Sequence, residues 1–418
     1  MGCRLNAAEA ETLARQFSGA GHQVVQDPTL ADIIVVNSCA VTSQAVRKAE
    51  RRLRALHRAN PEAGLAVTGC WATADQAGVG TIEGVQWVVP NADKATTVSR
   101  VLSRELQAAP GASQTVLAPW APGRWGHTRA FLGVQDGCDH ACTYCVTRIL
   151  RGPGRSLSLD EALTAARARV QAGAREIVLT GTSLGAYGRD LGLCDGLAQL
   201  VSAILADTDV PRLRLSSIEP WDVSAALLDL WRDRRVCRQL HIPLQSGSDA
   251  VLRLMGRPIK VGAFVGLVDR ARAISPEIAI TTDLIAGFPG ETAEDFAETM
   301  RVVREVRFAR LHVFPYSERP GTAALRLPNP VPRAERRARA QEVRALGETL
   351  AADYRGRFIG RVLPVLWEPR NRAGAWAGLT DNYLEVQTRD ERMLYNRVTP
   401  TRLVGEREGM LVGEVLGG

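Results

Sequence analysis

The sequence lacks any long apolar run. No stretch of its 418 residues reaches the roughly 18 consecutive apolar residues that cross a bilayer. The amino terminus also lacks the basic start and apolar centre of a signal peptide. We therefore expect a cytoplasmic protein with no membrane partner.

Lysine is scarce in a chain that is basic overall. Only Lys48, Lys94 and Lys260 are lysines among 52 lysines and arginines, and the formal net charge is +7. A positive balance favours an anionic partner, and nucleic acid is the commonest one. The preference for arginine agrees equally well with a GC-rich genome. Composition alone therefore favours nucleic acid without identifying it.

The densest basic stretch falls on a predicted helix over residues 43–59. Between residues 47 and 58 a single acid, Glu50, faces six basic residues, namely Arg47, Lys48, Arg51, Arg52, Arg54 and Arg58. Such a run forms either a solvated helix face or a contact with an RNA backbone. The sequence leaves both readings open.

The chain is too long for one compact core, so we expect two or three domains. Residues 1–108 alternate strand and helix patterns, with strands predicted at 33–37, 65–68 and 86–89. This order predicts a small α/β domain with a largely parallel sheet. Residues 109–127, rich in Ala, Pro and Gly, are predicted to be a linker.

Residues 128–356 repeat strand and helix about six times. Predicted strands lie at 131–135, 176–180, 212–216, 239–243, 278–285 and 310–314. Six parallel strands with crossover helices predict an incomplete α/β barrel with its site at the carboxyl ends of the strands. Residues 357–418 contain short β patterns separated by turn residues, which predicts a five-stranded barrel of a type that often binds RNA.

Eight cysteines in a reducing compartment indicate metal ligands or buried thiols rather than disulfides. Cys138, Cys142 and Cys145 follow the first barrel strand at C-x-x-x-C-x-x-C spacing, and we call them the first cysteine trio. Three thiols can hold an iron–sulfur cluster with one iron left open. Zinc completed by His140 and an unligated cluster of buried thiols are the alternatives.

Cys3, Cys39 and Cys70 form a possible second cysteine trio. Cys39 and Cys70 follow predicted strands at the edge where open α/β sheets place ligands, and Cys3 lies in a turn before a helix predicted to begin near Ala7. Three loops at one edge could supply a second metal site. Three unrelated core cysteines would give the same pattern.

Polar residues also collect at the predicted carboxyl ends of the barrel strands. A ligand with amino, carboxylate, hydroxyl and base groups needs such a mixture of carboxylate, hydroxyl and bare backbone. Glu219 could instead be a structural ion-pair partner, and Gly287 and Gly290 could merely shape a turn. The candidates are Thr180, Gly181, Ser216, Glu219, Gln245, Gly287 and Gly290.

The stretch 138–145 resembles the cluster loop of radical S-adenosylmethionine enzymes. In that family the three cysteines hold a four-iron, four-sulfur cluster whose open iron binds the amino and carboxylate groups of S-adenosylmethionine. The residue before the third cysteine is usually aromatic and lies near the adenine, and Tyr144 fits. The resemblance implies that the seven polar candidates surround this cofactor.

The stretches 2–6, 36–42 and 67–70 resemble the three cysteine motifs of methylthiotransferases, which are radical S-adenosylmethionine enzymes. That resemblance implies that the second cysteine trio holds a second four-iron, four-sulfur cluster, which supplies or carries the inserted sulfur. Arg151 and Arg319 also match family motifs. The terminal barrel resembles the TRAM domain that closes these enzymes.

Residues 214–220 and 311–317 are most similar to the methylthiotransferase branch that acts on threonylcarbamoyladenosine beside the tRNA anticodon. The resemblance implies a tRNA partner, an external electron donor and a sulfur source that the sequence does not identify. Methylthiotransferases of isopentenyladenosine in tRNA and of a ribosomal-protein aspartate are the alternatives within the family. A non-catalytic RNA-binding protein with structural zinc is the alternative outside it.

One departure from the family pattern lies at the amino terminus. Family members usually have a strand before the first cysteine motif, whereas this chain opens at Met1-Gly2-Cys3. We expect either a start codon placed too far downstream or a sheet with one strand fewer.

Overall fold

The computed structural model describes residues 3–103, 118–124, 127–371 and 373–417. These residues form a parallel α/β unit, a half-open barrel of parallel strands and a closed β-barrel. The predicted fold class is thereby confirmed. Most of the predicted linker, residues 109–127, lies outside the described residues.

The amino-terminal unit is a three-stranded parallel sheet in the order β1-β2-β3. Its central strand is buried at every position because helices cover both faces. Its elements in chain order are α1 (Arg4–Gly19), β1 (Ile33–Ser38), α2 (Ser43–Ala59), β2 (Gly64–Gly69), α3 (Cys70–Ala74), α4 (Gln76–Gly80), β3 (Val85–Val89) and α5 (Thr97–Leu102).

Helix α1 begins three residues before the predicted start near Ala7, with Cys3 at its N-cap. The sequence pattern does not reveal this first turn because the turn contains Asn6. Asparagine is unfavourable in helix interiors, since its side chain can bond to nearby backbone instead. Here the Asn6 amide instead donates to Asn37 Oδ1 and to the carbonyl of Ser38 in the sheet. The sheet thus satisfies Asn6 and frees the helix to start earlier.

The central unit contains the six predicted parallel strands. They divide into β4-β6-β7 and β8-β9-β10, and parallel bridges from Leu213 to Val236 and from Ser217 to His241 connect the two halves. Its elements are β4 (Ala130–Asp136), α6 (Thr147–Arg151), β5 (Arg155–Ser156), α7 (Leu159–Gln171), β6 (Ile177–Gly181), α8 (Gly196–Asp207), β7 (Leu213–Leu215), α9 (Ala225–Asp229), β8 (Gln239–His241), α10 (Asp249–Leu254), α11 (Val261–Ile274), β9 (Ala279–Ala286), α12 (Ala293–Val306), β10 (Arg310–Pro315) and α13 (Arg333–Gly356).

Side chains of the strands alternate between the helical layer and the barrel interior. Leu132 and Val134 of β4 join the core beneath the helices. Phe131 and Gly133 point the other way, where Phe131 meets Ala8 of α1 and a Cβ on Gly133 would lie 3.3 Å from Leu5. Helix α1 therefore packs against the inner face of the barrel and couples the two units.

The carboxyl-terminal unit is a closed barrel in the order β11-β12-β13-β15-β14. Its strands are β11 (Val362–Arg370), β12 (Trp376–Thr380), β13 (Glu385–Thr388), β14 (Val398–Arg407) and β15 (Met410–Val415). Among the short β patterns, residues 383–388 predict a strand from Tyr383, whereas β13 begins at Glu385. Tyr383 has a φ of +68°, a turn conformation that a β pattern does not reveal.

The turn between β12 and β13 enters the amino-terminal end of the central barrel. There the buried guanidinium of Arg214 donates to the backbone carbonyls of Thr380 and Asp381. Glu176 binds the same guanidinium at 2.7 Å.

No described helix is long and apolar enough to cross a membrane.

Candidate active site

The first cysteine trio lies on the loop that follows β4. Gly137 opens this loop with a φ of +75°, and a Cβ there would lie 1.8 Å from the carbonyl oxygen of Pro153. Only glycine fits both the conformation and the close approach. The Cys138 amide then donates to the carbonyl of Gly152 at 3.1 Å. The loop is thus clamped at its start by backbone contacts.

The middle of the loop is held by neighbouring backbone. The amide of Thr143 donates to Met255 O at 3.0 Å, and its hydroxyl donates to Leu254 O at 2.8 Å. On its other side the Thr143 carbonyl accepts from the amide of Ala324. These contacts fix the curvature that lets three thiols face one space.

The thiols of this trio interact electrostatically with one another. Burial raises the pKa of Cys142, Arg257 opposes this rise, and Glu219 and the Cys145 thiol add to it, so that the pKa reaches about 11. Burial likewise raises the pKa of Cys138, again with a contribution from Cys145. A metal centre here would therefore have to displace protons from the thiols that it binds.

The imidazole of His140 is already engaged by neighbouring residues. Its Nε2 lies 3.1 Å from Ser183 Oγ and 3.7 Å from Asp222 Oδ2, and its ring packs edge-on against Trp221. These contacts favour a supporting role for His140 in the loop over the role of fourth ligand.

Two buried hydroxyl groups near the loop have no protein partner. Thr180 Oγ1 at the end of β6 and Ser216 Oγ after β7 make no hydrogen bond within the described residues. Buried hydroxyls normally have a partner, so these two atoms indicate a polar ligand. Beside them, a Cβ on Gly181 would lie 3.0 Å from Gln135 Oε1 and 3.1 Å from Leu184 Cα, so a larger residue would push these neighbours aside.

Glu219 and Tyr144 meet through Arg257, a residue that the sequence reading missed. Arg257 Nη2 binds Glu219 Oε2 at 2.7 Å, and its Nη1 lies 3.3 Å from the Tyr144 hydroxyl. The guanidinium also stacks over Trp221 at 4.7 Å. The sequence carries no signal for this contact because Arg257 follows α10, far from both partners in the chain.

The remaining candidates have backbone roles. Gln245 has a φ of +73° and bridges β9 by accepting from the Ile285 amide and donating to Asp283 O. A Cβ on Gly287 would lie 2.5 Å from the Arg336 side chain, and one on Gly290 would lie 2.8 Å from Leu254. Tight packing accounts for both glycines, and a cofactor contact stays a prediction for all three residues.

The second cysteine trio is assembled from three segments of the amino-terminal unit. Cys3 precedes α1, Cys39 follows β1 and Cys70 begins α3. Burial raises the pKa of Cys39, and the Cys70 and Cys3 thiols raise it further. The predicted convergence of these three segments at one sheet edge therefore agrees with the structure, whereas their role as ligands stays a prediction.

An ion-pair network joins the second trio to the central barrel. Glu9 of α1 binds Lys94 at 2.7 Å and Arg151 at 2.8 Å, and Arg151 also binds Asp136 at the end of β4. Burial would raise the pKa of Glu9, but Lys94 and Arg151 lower it to about 2. The network fixes the cysteine-bearing edges of the two sheets against each other.

Arg151 and Arg319, which the sequence matched to family motifs without a role, both lie beside the second trio. Burial opposes the charge on Arg151, but Cys70, Glu9 and Asp136 raise its pKa above the usual value. Burial lowers the pKa of Arg319, and the Cys39 thiol opposes that change. Two cations therefore face these thiols.

Neither trio has the compact spacing of a single-ion site. In the part of the chain that the structure describes, one group of three His, Cys, Asp or Glu side chains has all its ligand atoms within 4.8 Å, and it contains no cysteine. A tetrahedral zinc ion holds its thiolates about 3.8 Å apart. Wider spacing suits a cluster in which each thiolate binds a different iron.

The basic stretch of α2 is solvent-exposed. All six basic side chains between residues 47 and 58 are exposed, and within the described residues they form one ion pair, between Arg54 and Glu50 at 2.8 Å. The helix starts beside the site, where the Ser43 amide lies 3.3 Å from Ser317 Oγ. A positively charged face therefore leads away from the site.

Comparisons with known proteins agree with this geometry. Residues 132–303 match the Radical SAM superfamily, and residues 1–89 match Uncharacterized protein family UPF0004. The chain is 36% identical to the threonylcarbamoyladenosine tRNA methylthiotransferase MtaB of Thermotoga maritima, over 92% of this chain and 89% of that protein. The MtaB of Bacillus subtilis is 33% identical over 97% of this chain and 92% of its own length.

A second group of relatives and one solved structure extend the comparison. The tRNA-2-methylthio-N(6)-dimethylallyladenosine synthase of Thermobifida fusca is 34% identical over 87% of this chain and 76% of its own length. The radical S-adenosylmethionine methyltransferase TsrM of Kitasatospora setae, solved with cobalamin and a [4Fe-4S] cluster, covers 76% of this chain and 73% of its own at a TM-score of 0.56. Its 14% identity shows a shared fold alone. With full-length relatives above 30% identity, this chain belongs to the radical SAM methylthiotransferase family.

Proposed function

We propose that this protein is a tRNA methylthiotransferase that replaces the C2 hydrogen of N6-threonylcarbamoyladenosine, next to the anticodon, by a methylthio group. The observation that carries the proposal is the presence of two separate cysteine trios on the edges of two parallel sheets that Glu9 and Arg151 join. A reaction that both activates a C–H bond and delivers sulfur needs two such centres side by side.

The first cysteine trio would hold a four-iron, four-sulfur cluster, and S-adenosylmethionine would lie beside it. The unpartnered hydroxyls of Thr180 and Ser216 fit a polar ligand at this place. Glu219 would face the charged part of the cofactor, and the ring of Tyr144 would face its aromatic part. Backbone groups would contact it at Gly181, Gln245, Gly287 and Gly290. When bound, cluster and cofactor supply an electron and a reactive deoxyadenosyl radical.

The second cysteine trio would hold the cluster associated with the transferred sulfur. Arg151 and Arg319 would offset the negative charge of a thiolate-ligated centre there. The packing of α1 inside the barrel would exclude water from the space between the two trios. The residues thus position and shield the reacting groups.

Two surfaces support tRNA as the partner. The exposed basic face of α2 leads away from the site, and the closed terminal barrel is of a kind that often binds RNA. The relatives named for threonylcarbamoyladenosine and for dimethylallyladenosine both act on tRNA according to their names. The proposal also requires an external electron donor, a sulfur source and a cytoplasmic location.

The proposed division of the chain assigns residues 1–108 to the second cluster, 128–356 to the first cluster and cofactor, and 357–418 to RNA, with a linker at 109–127. The contacts of α1 with β4 show why such units would act together rather than independently.

The deciding experiment is mass spectrometry of nucleosides from total tRNA of a strain lacking the gene, beside its parent and a complemented strain. We expect the methylthio-threonylcarbamoyl nucleoside to disappear and its unthiolated precursor to accumulate. An unchanged level would contradict the proposed substrate. Loss of the methylthio-isopentenyl nucleoside in the same data, or of methylthiolation on the ribosomal-protein aspartate, would support one of the two alternatives.

A further inference from the structure

A compact group of ligand-type side chains lies on three neighbouring strands of the barrel. His241 ends β8, Asp283 lies in β9 and His312 lies opposite Asp283 in β10. Their side-chain ligand atoms all fall within 4.8 Å of one another. The group belongs to neither cysteine trio, and it adjoins the proposed S-adenosylmethionine site through the Gln245 amide, which donates to the backbone carbonyl of Asp283 at 2.8 Å.

Hydrogen bonds hold the His241 ring in place. Gln239 Nε2 donates to Thr281 Oγ1 at 3.3 Å, and Thr281 Oγ1 lies 2.9 Å from His241 Nδ1. The other ring nitrogen, Nε2, lies 3.4 Å from Asp283 Oδ2. His241 therefore holds Asp283 from behind.

Asp283 carries its charge toward the barrel interior. Burial opposes ionisation, but His241 and then His312 and Arg257 lower the pKa of Asp283. Of these three residues, Arg257 is already paired with Glu219. The carboxylate is 28% exposed, so part of its surface remains open to a ligand.

His312 on this wall and Arg4 at the start of α1 are near enough to interact electrostatically. His312 is exposed, and desolvation lowers the pKa of its ring; Asp283 opposes this change, while His241, Arg310 and Arg4 add to it. Arg4 Nη2 donates to the Tyr383 hydroxyl at 3.0 Å, and across the described residues no carboxylate lies within 4.0 Å of its guanidinium. Arg310, by contrast, is paired with Glu385 at 3.0 Å.

This wall suits a polar substituent and disfavours an apolar one. A threonylcarbamoyl group presents a carboxylate, a hydroxyl and a urea-type N–H, which match Arg4, His312 and Asp283 in turn. An isopentenyl group would desolvate a carboxylate and a guanidinium and give them no partner in return. The difference would select between the two substrates named by the relatives.

We propose that His312 and Asp283, with Arg4 opposite, form the subsite that binds the threonylcarbamoyl substituent and so determine substrate specificity. Here Arg4 binds the carboxylate of the substituent, and Asp283 accepts a hydrogen bond from its N–H or hydroxyl. His312 contacts the substituent between these two residues. His241 is a positioning residue that orients Asp283. The inference rests on the proposed function and deepens it.

The test compares the binding of two anticodon stem-loops of the same sequence, one with threonylcarbamoyladenosine and one with unmodified adenosine, to the reconstituted holoenzyme. Loss of a charge-assisted hydrogen bond corresponds to about tenfold or more in affinity. We expect His312→Ala and Arg4→Gln each to lower the affinity for the modified RNA by about that factor. The affinity for the unmodified RNA should fall by less than about twofold. Arg301→Gln, an exposed arginine on α12, serves as the matched control.

Other outcomes would overturn the inference. Equal weakening of both RNAs would make these residues general RNA contacts, and no weakening of either would remove them from recognition. Binding of Mn²⁺ can be measured by electron paramagnetic resonance. If the wild type bound one equivalent and His312→Ala bound none, the group would be a cation site instead. Iron content and melting temperature confirm that each variant is folded, because Arg4 adjoins Cys3.

The proposed function can fail separately. A holoenzyme that leaves the modified stem-loop unthiolated would contradict the proposed reaction. A holoenzyme that thiolates it, but keeps its binding preference in both variants, would contradict the subsite alone.

Discussion

The two cysteine trios differ in how the chain builds them. The first lies within eight residues of one loop, which backbone contacts to Gly152, Met255 and Ala324 hold in place. The second collects thiols from residues 3, 39 and 70, so it exists only when α1 and two strands of the sheet are assembled. A local loop can encode its own geometry, whereas a site made of distant segments depends on the whole unit.

The comparison implies different vulnerabilities. The first trio should tolerate changes far from its loop, and the second should respond to any change that loosens α1 or the network around Arg151 and Glu9.

The largest effect is expected for Cys142→Ala. Removing one of three ligands should abolish cofactor cleavage and product formation and should lower iron from about eight to about four per chain. Anaerobic reconstitution, iron and sulfide analysis and assay of deoxyadenosine formation measure this. Cys194→Ala, an exposed cysteine outside both trios, is the control and should behave like the wild type. Substantial cofactor cleavage by Cys142→Ala would contradict the assignment.

Cys70→Ala should separate the two centres. We expect iron to fall by about half while cofactor cleavage stays within about threefold of the wild type, because the loop trio does not depend on Cys70. Sulfur insertion into the tRNA stem-loop should stop. A normal yield of thiolated product would show that the second trio is not required.

Arg151→Gln should weaken the second site more than the first. Arg151 is 3% exposed and binds both Glu9 and Asp136, so its loss leaves Asp136 without its cation and Glu9 with Lys94 alone. Breaking such a buried pair typically costs about 3–5 kcal/mol of unfolding free energy. Denaturant unfolding of the metal-free protein measures the loss. Arg301→Gln, which breaks an exposed pair with Glu305, should cost less than about 1 kcal/mol.

The smallest effect is expected for His140→Ala. Because Ser183, Asp222 and Trp221 engage His140, its loss should loosen the loop without removing a ligand. Iron should remain near the wild-type value, and cofactor cleavage should fall by about twofold to tenfold, a typical cost of about 1 kcal/mol for one lost contact. Loss of about half the iron would instead make His140 a ligand.

Much of this architecture is encoded in local patterns. Apolar runs such as 33–37 and 131–135 predicted strands, and parallel order followed from the helices between them. The spacing within 138–145 predicted the first trio because a loop of that length brings its own thiols together. For the second trio, the rule that parallel strands end at one edge was sufficient to bring Cys39 and Cys70 together.

Contacts between distant segments could not be predicted in the same way. Arg257 reaches Tyr144 and Glu219 across the barrel, and Arg4 reaches Tyr383 across nearly the whole chain. No periodicity or spacing carries such pairings, because a long side chain is placed by the packing of elements and not by its own neighbours. Asn6 illustrates the same limit, since its partners in the sheet reversed its local preference.

The turn between β12 and β13, which caps the central barrel through Arg214, has a mechanical consequence. Because this buried guanidinium connects the terminal barrel to the central one, the two cannot swing apart without breaking its hydrogen bonds to the carbonyls of Thr380 and Asp381. An RNA stem bound on the terminal barrel would then be presented at a fixed distance and angle from the two trios. The enzyme would then select its nucleotide by the position of that nucleotide along the tRNA.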